Sequence, residues 1–215
     1  MGKHDATRRT FLVSAAVSAG AVAGAGLVPE ALAQSPEQHE AAGVQHGAFF
    51  NQAQAATIAA FVERLMPDAP GKPGARDAGV LNYIDLALAG AYAELQDFYR
   101  RGLAQLDAYC RTTLKEPFAR LDAAGQDQVI TSLEQGKATG FTWPTAQEFF
   151  DTVRTHTMEG MFADPVYGGN KDFAGWRLVG FPGAQAVFTP ADLQSRQAFT
   201  RAPMIGLQAQ AKRQS

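Results

Sequence analysis

The feature that most constrains this chain is an apolar period of three to four residues that keeps recurring between turn signals. In "NQAQAATIAAFVERLMP", Ile58, Phe61, Val62, Leu65 and Met66 fall at i, i+3, i+4, i+7 and i+8, one face of an α-helix. Pro67 helps to end that helix, and "PDAPGKPGARDAG" reads as a turn-rich loop. Val80, Leu81, Ile84 and Leu88 repeat the stripe up to a break at Gly90, and Leu95, Phe98, Leu103 and Leu106 mark a longer helix running to about Leu114. Asp122 reads as the N-cap of "AAGQDQVITSLEQ" and Gly136 as its stop. Thr142, with Trp143-Pro144, is expected to open a helix through Phe149, Phe150 and Val153 to about Met161. Thr189-Pro190 starts a short one, and a polar tail over 201–215 is expected to fray. Few windows show the period-two alternation or β-branched richness of strands. The expectation is a single all-α domain over 50–200, an irregular bundle of about five or six helices with one Gly/aromatic-rich loop.

Composition agrees and removes some function classes. With 215 residues, 46% hydrophobic and 19% charged, the chain can pack one core and is not globally disordered. A net charge of −2 without a run of like charges leaves no phosphate-tracking surface, so no nucleic-acid partner is expected. The one cysteine, Cys110, excludes an internal disulfide and a cysteine-built metal cluster. It shares a stripe with Leu103 and Leu106, which leaves two readings: a buried small hydrophobe, or a bond to a partner chain after export.

The first thirty-three residues read as an address. Lys3, Arg8 and Arg9 form a positive head, Phe11 to Val28 is uncharged and rich in Ala and Gly, and Pro29 breaks any helix there. Ala31-Leu32-Ala33 gives a small-x-small cleavage pattern, which places the cut between Ala33 and Gln34. Within the head, Thr7-Arg8-Arg9-Thr10-Phe11-Leu12 resembles the twin-arginine export motif, with Val13 where a lysine is common. The apolar stretch is only weakly hydrophobic, which suits that route and argues against an uncleaved anchor. Removing 1–33 leaves 16 basic and 19 acidic side chains, net −3, and 34–49 reads as a flexible lead-in. Twin-arginine passengers travel folded, with a cofactor inserted or with a partner that carries one.

Reactive chemistry is sparse. After the leader the histidines are His39 and His46, in the polar lead-in, and His156. Phe149, Val153 and His156 share a stripe, and Glu159 lies three residues on, within reach along the helix. Such a pair could supply two metal ligands or orient a base, but no second pair completes a site, and a histidine satisfied at a packing edge is the competing reading. There is no G-x-S-x-G elbow, P-loop, G-x-G-x-x-G or C-x-x-C-H. No catalytic residue and no cofactor are therefore expected in this chain.

The remaining oddity is "DPVYGGNKDFAGWRLVGFPG", with five glycines, four aromatics and two prolines in twenty residues. Gly168, Gly169, Gly180 and the Pro182-Gly183 pair suggest tight turns, while Tyr167, Phe173, Trp176 and Phe181 bring large rings. The rings either fold back on the bundle or form a docking surface, and composition does not choose.

The segments "FVERLMPDAPGKPGARDAGVLNYID" and "FFDTVRTHTMEGMFADPVYGGNKDFAGWRLVGFPG" resemble gluconate 2-dehydrogenase subunit 3, over about Phe50 to Gly183, with "DPVYGGN…GW…GFPG" the most specific block. The resemblance implies a small subunit of a periplasmic, membrane-associated complex. Its partners would be a large subunit that holds FAD and oxidises the sugar acid, and a cytochrome c subunit that carries haem and passes electrons toward quinone. The small subunit would carry the export signal for the flavoprotein, engage the twin-arginine translocase, and stabilise its partner. On that reading the candidate interface is Tyr167, Gly168, Gly169, Asn170, Trp176, Phe181, Pro182 and Gly183.

Overall fold

The computed structural model describes residues 47–183, 189–196 and 205–207. The expected leader with Arg8, Arg9, Phe11, Leu12, Ala31 and Ala33, and the lead-in residues Gln34, His39 and His46, lie outside the described residues.

Among the described residues the chain forms seven α-helices and no strand. They are α1 (Gln52–Leu65), α2 (Val80–Ala89), α3 (Gln96–Leu114), α4 (Ala123–Glu134), α5 (Ala146–Phe162), α6 (Ala174–Val179) and α7 (Pro190–Gln194), with short 3-10 turns between them. The all-α expectation therefore holds for these residues.

The helix ends follow local chemistry. Asn51 and Gln54 close a capping box on α1, each side chain bonded to the other's backbone N–H. The Asp122 carboxylate takes the Gly125 N–H at 2.8 Å to start α4, and Gly136, at φ +64°, follows its end as expected. The start of α5 differs from expectation: its N-cap is Thr145, not the Thr142–Pro144 stretch. Thr145 and Glu148 form the reciprocal box, and the Thr145 N–H and hydroxyl hold the Glu148 carboxyl below its usual range. The cap wins because it satisfies two orphan donors at once, which Thr142 cannot do from its place against Gln105.

Helix α5 is the centre of the bundle, packing on α1, α2, α3, α4 and α6. Phe149 on α5 lies directly over Gly102 of α3, where any side chain would collide with the ring. Phe61 of α1 sits 5.5 Å from Phe118 and 6.3 Å from Phe149, ring to ring. Each such fully buried ring contributes about 2–3 kcal/mol of hydrophobic stabilisation.

In two regions expected to be loose, the described residues are tied down. Gly47, Ala48, Phe49 and Phe50, the end of the expected lead-in and its continuation, each donate a backbone N–H to the Asp85 carboxylate of α2, at 2.7–2.9 Å. Asp85 is 0% exposed. In the tail, Ile205 pairs with Gly183 and the Leu207 N–H donates to Asp164 at 2.8 Å. The reason is the same in both places: a buried or half-buried carboxylate collects backbone donors that water would otherwise have to serve.

Candidate functional site

The segment after α5 wraps back onto the bundle through one side chain. Asn170 is fully buried, with φ +46°, a left-handed conformation that Asn tolerates better than most residues. Its backbone N–H donates to Gly160 at 2.7 Å and its Nδ2 to Ala163 at 2.8 Å. Its Oδ1 accepts the Gly175 N–H at 2.9 Å and, more weakly, the Trp176 N–H at 3.4 Å. The carboxamide thus joins the end of α5 to the start of α6, a helix that periodicity does not reveal because its cap comes from a left-handed turn upstream.

The glycines serve close backbone approach. A Cβ at Gly169 would strike the Gly160 carbonyl, and one at Gly175 would strike the Met161 carbonyl. Trp176 is buried: its indole donates to the Phe162 carbonyl at 2.7 Å and its ring stacks on Phe173 at 5.3 Å. Asn82 of α2 donates to the Gly168 carbonyl at 2.8 Å, and the Lys171 N–H to Ala78 at 3.0 Å. The candidate interface residues therefore divide. Gly169, Asn170, Trp176 and Gly183 are buried in the bundle, and Gly168 and Pro182 are half-buried. Tyr167, 58% exposed, and Phe181, 44% exposed, face outward. Val166, Val179 and Leu86 add further exposed apolar surface, and Leu86 approaches Gly168.

His156 and Glu159 sit in a cluster of tyrosines. The Tyr99 hydroxyl lies 2.8 Å from His156 Nδ1, and the Tyr92 ring stacks on the imidazole at 4.8 Å. Glu159 accepts from the hydroxyls of Tyr83 at 3.0 Å and Tyr92 at 3.3 Å. Burial lowers the His156 pKa, with Glu159 opposing the shift, and burial together with Glu159 raises the Tyr83 and Tyr99 hydroxyls. The two side chains share a helix but are engaged with hydroxyls rather than converging on a common ligand position. Among the described residues no group of three or more His, Cys, Asp or Glu side chains is placed to hold a metal ion.

Cys110 is fully buried, and burial, with Asp107 nearby, pushes its thiol up to about 12. That favours the packing reading over a bond to another chain, because a covered thiol offers neither access nor thiolate. Among the described residues no helix is long and apolar enough to cross a membrane.

Sequence reasoning missed three features: the Asp85 clasp, the tyrosine partners of His156 and Glu159, and the bonding role of Asn170. One signal for the first is visible, a lone carboxylate inside the mostly apolar helix "VLNYIDLALA".

The geometry is that of a helical domain whose polar cluster is satisfied internally and whose glycine-rich segment is built into the bundle. A sequence model of gluconate 2-dehydrogenase subunit 3 matches residues 52–183, which takes in α1 through α6 and ends at Gly183. The chain belongs to the gluconate 2-dehydrogenase subunit 3 family, and so is a subunit that works with partner chains. Comparison with curated proteins and with solved structures gives no match.

Proposed function

We propose that this chain is the non-catalytic small subunit of a periplasmic, membrane-associated complex of the gluconate 2-dehydrogenase kind. It binds the FAD-bearing large subunit, escorts it through twin-arginine export and stabilises it, while a cytochrome c subunit takes the electrons onward. The single observation that carries this reading is the family match across the helical body. Two others support it. The Arg8-Arg9 head has the pattern of an export signal read on folded cargo. His156 and Glu159, the best candidates for private chemistry, are each engaged by tyrosine hydroxyls.

On this reading the exposed rings of Tyr167 and Phe181 are the first contacts for the large subunit. They are held on a backbone that the Asn170 bonds already fix, so binding orders little further.

The test is to change Arg8 and Arg9 together to Lys in cells that express both subunits. Flavoprotein dehydrogenase activity is expected to stay in the cytoplasm, and its arrival in the periplasm in undiminished amount would end the escort reading. Purified alone, the processed chain is expected to show no flavin absorbance, no stoichiometric metal and no turnover of sugar acids.

A further inference from the structure

The seam between α1 and α3 is open. Each helix packs on α5 and on the 3-10 turn Phe118–Arg120, but they scarcely touch one another. The gap is a groove of about 760 Å³, bounded by the first turns of α1, the face of α3 from Arg100 to Arg111, and the chain from Pro117 to Arg120. Leu103 forms part of its buried lining, and the exposed positions Ala53, Ala56 and Ala104 keep its walls low. Two helices held apart with small residues facing the gap leave room for the ridge of a third.

The charge of the groove is one-sided. Arg100, Arg111 and Arg120 line it against one lining carboxylate, Asp107. Asp107 is already bonded to Arg111 at 2.8 Å, and Glu116 also lies near that arginine. Arg100 meets only the Gln96 amide and the face of the Phe49 ring, and Arg120 has no side-chain partner among the described residues. A chain with 21 acidic and 19 basic side chains thus gathers surplus positive charge where its helical surface is incomplete.

We infer that this groove receives an acidic amphipathic helix of a partner polypeptide, its apolar ridge on Leu103 and the alanines, its carboxylates on Arg100 and Arg120. The mode is helix-in-groove recognition, with the arginines setting register and encounter rate. The inference rests on the reading of this chain as a subunit bound to a flavoprotein, and it adds a second contact surface that shares no residue with the Tyr167–Gly183 segment.

The test measures binding of the purified flavoprotein subunit to the wild-type chain, to R100E/R120E and to A56W, at low and high salt. The charge-reversed variant is expected to bind about tenfold or more weakly at low salt and to lose most of the salt dependence. A56W, which fills the groove without changing its charge, is expected to bind more weakly at both. Circular dichroism and melting confirm folding, and R120E alone, which breaks no side-chain bond, carries the same expectation should the double variant not fold. Wild-type affinity in the folded variants overturns the inference and leaves the subunit reading standing. Failure of the wild-type chain to bind the flavoprotein overturns the subunit reading and this inference with it. Variants that lose thermal stability in isolation but keep partner affinity would make the groove part of this chain's own packing. Variants that change only self-association would assign it to a second copy. Either result overturns the inference.

Discussion

The Tyr99 hydroxyl meets His156 Nδ1 at 2.8 Å in the interior of the bundle, with the Tyr92 ring closing one face of the imidazole. Burial holds the proton on the Tyr99 hydroxyl, and which of the two groups donates to the other follows the imidazole tautomer. The arrangement suits a neutral histidine and penalises a charged one.

A pH dependence follows from that penalty. The folded-state pKa of His156 is lowered from 6.5, chiefly by burial. Below pH 6.5 the unfolded chain takes up a proton that the folded chain resists, so the stabilising effect is fully present above that value. It is lost as the pH falls from there toward the lowered folded pKa, where the loss levels off. Melting temperatures of wild-type and His156→Gln proteins, taken from pH 7 to pH 5, are expected to converge on acidification. Parallel curves would show that His156 is not the group responsible.

The Asp85 clasp predicts a large local loss. Asp85→Ala leaves four backbone N–H groups without their acceptor, from the exposed Gly47 and Ala48 to the buried Phe50. Leaving a buried N–H unsatisfied costs about 1–3 kcal/mol, and the Phe50 N–H carries most of that here. Urea denaturation measures the loss, and limited proteolysis is expected to cut near Gly47 in the variant but not in the wild type. Asp85→Asn, which keeps one carbonyl acceptor, is expected to lie between them.

The Asn170 hub separates bonding from space. Asn170→Ala removes the bonds to the half-buried Ala163 and the buried Gly175, a loss of about 2–3 kcal/mol. Gly175→Ala keeps every bond but drives a methyl into the Met161 carbonyl, and is expected to cost at least as much through displaced backbone. Hydrogen exchange at Gly175 and Trp176 is expected to accelerate in both variants, while α1 and α4 keep wild-type protection. Uniform acceleration across the bundle would instead mean that the segment is not a separate unit of stability.

What could be read from the residues, and what could not, has a physical division. Helices α1 to α4 were legible because each carries its own stripe and stop: Ile58, Phe61 and Val62 in α1, and Asp122 with Gly136 around α4, act within one or two turns. The start of α5 was misplaced by three residues because Pro144 is a strong signal and the Thr145–Glu148 box next to it is a quieter one. Helix α6 and the packing of the glycine-rich segment were not legible, since both depend on Asn170 reaching the Gly160 and Ala163 carbonyls of α5. His156 and Glu159 were found as a pair by spacing, but their tyrosines come from α2, α3 and the turn between them, which helical spacing cannot join.

The pairing of Ile205 with Gly183 has a thermodynamic consequence of its own. It closes a circuit of about twenty residues, and chain entropy pulls against that closure at every moment. Among the described residues, the Leu207 N–H on Asp164 is a second bond across the same join. Loss of that join would uncover Gly183 and the Asp164 carboxylate together, so the two are covered or exposed as one.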